Sequence, residues 1–106
     1  MLIGIVSPYS GEIERNKAYL RQCMALVLKE GHTPVAGHAY LPDVLDDSDP
    51  EQRQRGIRAG HDLLSICNEV HVFADHGISA GMWQDIRFAR TVAIRVIMRS
   101  VDEADQ

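Results

Sequence analysis

Apolar positions along the chain follow two alternating patterns. Leu2 to Val6, Thr33 to Gly37, Glu69 to Phe73 and Val92 to Met98 are short runs with the length and bounding turns of buried strands. Between them the period changes. Ile13, Leu20, Cys23, Met24 and Val27 recur at helical spacing, with Ser10 ahead of them as the expected cap and Gly31 at the left-handed stop. A second helix is announced by Asp49-Pro50-Glu51-Gln52. Asp49 is its cap, Pro50 its first residue and Gln52 the partner in a variant capping box, and it should run to Ile66 or Cys67. Ser79 caps a third helix expected from Ala80 to about Arg90.

Strands that alternate with helices predict parallel pairing through right-handed crossovers. The expected fold is therefore α/β, three layers around a small parallel sheet of order 2-1-3-4. Residues 1–100 form one domain and 101–106 an acidic, frayed tail. In such sheets ligands bind beyond the carboxyl ends of the strands, where strand order reverses. That rule singles out Ser7 to Gly11 and Asp75 to Asp85, with His38 and His76 also on strand-end loops.

Composition narrows the function classes. With 106 residues, 45% of them hydrophobic and 25% charged, the chain suits one ordinary core. A net charge of −4 argues against nucleic acid as a partner. The longest stretch free of charged residues, Gly31 to Pro42, is too short and polar to cross a membrane. The start of the sequence lacks signal-peptide character, so the cytoplasm is the expected location. Cys23 and Cys67 sit in apolar helical patterns and read as reduced core residues. No Cys or His spacing matches a zinc site.

Three segments carry candidate chemistry. In Ser7-Pro8-Tyr9-Ser10-Gly11, amides at a helix start favour anions and Tyr9 offers a stacking surface, although an ordinary capped turn explains the same residues. In Ser79-Ala80-Gly81-Met82-Trp83-Gln84-Asp85, the carboxylate of Asp85 lies near a helix N-terminus, which favours its ionised form. An ionised carboxylate beside a pocket is what attack on an anomeric carbon requires. Complementing the helix dipole is its plainer role. In the second helix Gly56 and Gly60 lie one turn apart, at a cost of roughly 1 kcal/mol each relative to alanine. They mark close approach of a ligand or, more simply, helix packing, including packing across a dimer. Trp83 is either a subunit contact or a base-stacking platform. Asp75 and His76 are the available second acids.

The ordered set Pro8-Tyr9-Ser10-Gly11, Asn16, Gly31-His32, His38, Asp49-Pro50, Arg53, Gly56, Gly60, Glu69-Val70, Ile78-Ser79, Gly81-Met82 and Asp85-Ile86 spans nearly the whole chain. It resembles a small bacterial and phage family grouped with the nucleoside 2-deoxyribosyltransferase-like proteins. The resemblance implies a flavodoxin-like sheet, homo-oligomers, and action on the N-glycosidic bond of a nucleoside or nucleoside 5′-monophosphate by hydrolysis or base exchange. No metal or organic cofactor is implied. Asp85 would be the nucleophile, and Ser7, Tyr9, Ser10, Gly11, His38, Ser79, Gly81 and Met82 would hold substrate. Catalytic members carry glutamate at the position of Asp85, and aspartate shortens that reach by about 1.5 Å. The departure keeps a second expectation open, a module that binds a nucleotide or nucleotide-derived signal without turnover. Asn68 likewise stands where relatives carry aspartate, at the strand end away from the crevice.

Overall fold

The computed structural model describes residues 1–105. Its elements are β1 (Leu2–Val6), α1 (Ile13–Lys29), β2 (Thr33–Val35), α2 (Pro50–Ser65), β3 (Glu69–Phe73), α3 (Ala80–Thr91) and β4 (Arg95–Arg99), with 3₁₀ turns at Gly37–Ala39, Leu41–Asp43 and Val101–Asp105. The sheet order is β2-β1-β3-β4 and every pairing is parallel, as the alternation predicts.

Strand periodicity divides the core into two halves. Ile3, Ile5 and Phe73 face α1, where Tyr19, Leu20, Cys23 and Val27 cover them. Val6, Val70 and Val72 face the other way, onto Leu64 of α2 and Met82, Ile86 and Ala89 of α3. Burial pushes the Cys23 thiol up to about 12, so it is an inert core group. Asn68 closes the far end of the sheet, its side-chain oxygen accepting from the Leu2 amide at 2.8 Å.

Several local expectations are corrected. β2 ends at Val35, because the chain turns into the 3₁₀ segment at Gly37. β4 starts at Arg95, since Val92 and Ala93, the latter at φ 61°, are consumed in ending α3. Ser10 does not cap α1. Gly11, at φ 87°, turns the chain so that Glu12 precedes the helix without a side-chain cap, and Ser10 instead accepts from Asn16 Nδ2 through its carbonyl at 2.9 Å. Asp49 caps α2, and Gln52 reaches back to the cap side chain rather than to its amide: its Nε2 donates to Asp49 Oδ2 at 3.1 Å, while its oxygen accepts from the Asp46 amide at 2.8 Å and braces the acidic loop.

The chain just after β4 is tied back to the sheet by hydrogen bonds, and Gln106 lies outside the described residues. Asp75, after β3, accepts from Tyr19 Oη, Ser100 Oγ and the Val101 amide, and Val101 packs on the α1 side of the core. Arg99 is nearly buried between Glu30 and Glu103, above the Phe73 ring and beside His71. His71 is buried in this ion cluster.

Burial opposes ionisation of Asp75, but the hydrogen bonds from Ser100, Tyr19 and Val101 outweigh it and hold the carboxyl below its usual range. A depressed folded-state pKa contributes stability that is present above the unfolded value and lost as pH falls through the folded value. Asp75→Asn should therefore lower the thermal midpoint at neutral pH and flatten its decline below about pH 4. Parallel acid limbs for the two proteins would rule out Asp75 as a contributor.

Candidate functional site

The carboxyl ends of β1, β2 and β3 open into a cavity of about 550 Å³, within the range of small-molecule sites. Three elements wall it. The loop after β1 supplies Tyr9, Ser10 and Gly11, the turn after β2 supplies His38, and α3 supplies Ser79, Gly81 and Asp85 from its first turns. The fourth wall is one face of α2, where Arg53, Gly56, Ile57 and Gly60 recur at helical spacing.

Asp85 lies among histidines. Its Oδ1 is 3.1 Å from His61 Nε2 and its Oδ2 is 3.8 Å from His38 Nε2. The carboxylate side chain is 13% exposed and each imidazole 22%, so all three are largely withdrawn from solvent, and Asp85 and His38 border the cavity. Both rings are braced. His61 stacks on Phe88 with centroids 4.3 Å apart and planes 8° apart, and His38 stacks on Tyr9 at 4.0 Å and 20°.

Gly81 accounts for the position of Tyr9. A Cβ at residue 81 would stand 1.9 Å from the Tyr9 hydroxyl oxygen and 2.5 Å from Cζ, so the phenol occupies the space that glycine leaves. Burial first, then the charges of Asp85 and Asp47 against that of Arg53, raise the Tyr9 pKa above its ordinary value. The phenol therefore stays protonated and keeps a hydrogen to donate at neutral pH.

Against the sequence expectations, Tyr9, Ser10, Gly11, His38, Ser79, Gly81 and Asp85 all border the cavity, and Ser7 and Met82 do not. Ser7 is fully buried with no hydrogen-bond partner for its hydroxyl, because it continues the inward alternation of Ile3 and Ile5. Met82 is in the core, where its sulfur accepts from the Ser79 amide while Ser79 Oγ caps the Met82 amide. Gly81 borders the cavity and also makes room for Tyr9. Asp75 is committed to Tyr19 and the tail, and His76 leans on Tyr19 beside a separate hollow, so neither borders the cavity where a second acid would act. Trp83 is 41% exposed and outside the cavity. Gly60 has open space where a Cβ would project, and Gly56 meets only Leu45 at 3.2 Å, so within the chain both border the cavity and neither abuts another helix.

His61, Arg53 and Gln84 are cavity or carboxylate neighbours that the reading of strand-end loops passed over. The available signal was the face of α2 defined by Arg53, Gly56 and Gly60, with His61 beside it and one turn after Ile57. Among the described residues, no group of three or more His, Cys, Asp or Glu side chains is arranged to hold a metal ion, and no helix is long and apolar enough to cross a membrane.

A model of a domain of unknown function, DUF7768, matches residues 1–99. No curated protein sequence matches the chain. Among solved structures, a 2-deoxyribosyltransferase from Bacillus psychrosaccharolyticus superposes with a TM-score of 0.77 at 13% identity, over 94% of this chain and 72% of that one. Clostridium botulinum CMP N-glycosidase, BcmB, superposes at 0.59 and 13% identity, over 92% and 70%. A 2-deoxyribosyltransferase from Leishmania mexicana gives 0.63 and 16%, over 93% of this chain and 63% of its own length. The flavodoxin-like layering expected from the sequence is thus the fold of these proteins.

The fit of Tyr9 over Gly81 yields a direct test. In Gly81→Ala the new methyl must displace the phenol, and with it the stacked His38 ring. The aromatic NMR resonances of both side chains should move, while stability changes by no more than about 1–3 kcal/mol, the usual range for added methyl groups. Unshifted rings would mean that Tyr9 does not depend on this contact.

Proposed function

The chain belongs to the DUF7768 family, and we propose that it acts on the N-glycosidic bond of a nucleoside or nucleoside 5′-monophosphate through Asp85. The observation that carries the reading is the state of that side chain: a mostly enclosed carboxylate, braced by His61, bordering a cavity large enough for a nucleoside. The kinship of fold with two 2-deoxyribosyltransferases and a CMP N-glycosidase supports the substrate class.

In this reading Asp85 attacks the anomeric carbon. A carbon–oxygen bond forms as the carbon–nitrogen bond breaks, the electron pair leaves with the base, and the base nitrogen takes up a proton. Water, or the nitrogen of a second base, then attacks the same carbon. The ester bond breaks, its electron pair returns to the carboxylate, and the proton of the attacking group is released. Tyr9, Ser10, Gly11, His38 and Ser79 border the sugar and base, and Arg53 adds a positive charge for an anionic substituent.

A second reading is binding without turnover. Its supporting observation is that Oδ1 is already engaged by His61, on a side chain one methylene shorter than glutamate.

Base release separates the two. The protein is incubated with the four deoxynucleosides and their 5′-monophosphates, and free bases are resolved chromatographically. The enzyme reading expects release that falls at least about a thousandfold in Asp85→Ala, the scale of loss on removing a nucleophile. Equal release by Asp85→Ala would eliminate Asp85 as nucleophile. Heat of binding with no base released by the native protein or by Asp85→Glu would select the binding module.

A further inference from the structure

We propose that His61 is a positioning residue that gives the two oxygens of Asp85 different tasks, Oδ1 held and Oδ2 free to attack; the proposal rests on the reading of Asp85 as nucleophile. His61 Nε2 donates to Oδ1 at 3.1 Å. Among the described residues no other group donates a hydrogen bond to this carboxylate. His38 Nε2, at 3.8 Å from Oδ2, lies beyond hydrogen-bond reach. One oxygen is therefore committed and the other is not.

The geometry makes this grip rigid. The His61 ring lies nearly flat on Phe88, with an 8° interplanar angle. Phe88 follows Asp85 by three residues on α3, so the surface that orients the imidazole and the carboxylate that receives its hydrogen are one turn apart on a single helix. The donor comes from α2, across the cavity wall. Its location relative to Asp85 is thus fixed at the ring face and at the hydrogen bond, two points on two elements.

An aspartate gains particularly from such a hold. Its carboxylate has two side-chain torsions, where glutamate has three. The stem positions the group and one hydrogen bond fixes the remaining rotation about the carboxylate axis. Without the donor, that rotation exchanges the oxygens and moves the attacking atom. A displacement of about 1 Å at a reacting atom costs on the order of a hundredfold in rate.

The test uses base release from whichever deoxynucleoside or 5′-monophosphate the native protein cleaves. His61→Phe keeps a ring against Phe88 and removes the donor; kcat should fall about a hundredfold with KM within about threefold of native. His61→Gln places an amide nitrogen near the position of Nε2 and should recover to within about tenfold of the native kcat. His61→Asn, whose donor stops short, should be as slow as the phenylalanine variant. If His61→Phe does not fold, the comparison of Gln with Asn at matched thermal midpoints decides, because both lose the ring. Native kcat in His61→Phe, equal rates in Gln and Asn, or a loss confined to KM would overturn the positioning role while leaving Asp85 as nucleophile, provided that Asp85→Ala is inactive. Full activity in Asp85→Ala, or no base release by the native protein, would remove both.

Discussion

The cavity depends on a methyl group that is absent. Tyr9 reaches over the start of α3 only because residue 81 is glycine, with the phenol oxygen 1.9 Å from where a Cβ would stand. Tyr9 in turn carries His38 against its face. One missing side chain thus links the loops after β1 and β2 to the N-terminus of α3. The parallel sheet supplies the coarse condition, since β1, β2 and β3 all end on the same side. The glycine supplies the fine one. Without it the first turn of α3 and the first loop would compete for the same space, and Asp85 would face a differently shaped wall.

The opposite demands of binding and stability are met in different places along the same sheet edge. Around the cavity, groups are left unsatisfied or uncovered: open space above Gly60 and, among the described residues, a carboxylate oxygen with no hydrogen-bond donor. Two interior helix glycines give up roughly 1 kcal/mol each in helix propensity. A short distance away, after β3, polar groups are paired closely. Asp75 draws Tyr19, Ser100 and Val101 together, and Arg99 is held by Glu30 and Glu103. Because the second cluster ties the chain after β4 back to α1, it braces the far side of the β3 terminus from which α3 departs.

Much of this was legible in the sequence, and the exceptions have identifiable causes. Element order and strand order followed from period and alternation, which are local properties. The same periods also contained information against two assigned residues. Ser7 continues the inward parity of Ile3 and Ile5, and Met82 starts the buried stripe that continues through Ile86 and Ala89. The family resemblance points both toward the site, whereas their periodicity points them inside. His61 is a different case. Its role exists only when α2 packs beside α3, and no spacing within either helix encodes that contact. The anchoring of Ser100 and Val101 is likewise tertiary, because the carboxylate that accepts from both belongs to Asp75, after β3.

The aspartate at the centre of the site acquires its character from this tertiary layer. On an isolated helix, a carboxylate in the second turn from the N-terminus is a common complement to the macrodipole and suggests no chemistry. Here two aromatic stacks, each containing a histidine, converge on it from separate elements, Phe88–His61 on one side and Tyr9–His38 on the other. Flat contacts of this kind restrict ring rotation without consuming the ring nitrogens, so the nitrogens stay available to the carboxylate and to whatever enters the cavity. A charge enclosed only to serve the helix end would be stabilised as well by solvent, at lower cost in desolvation. On the proposed reading, the enclosure of Asp85 beside one oriented donor and an open cavity serves a ligand that approaches its other oxygen rather than the stability of α3.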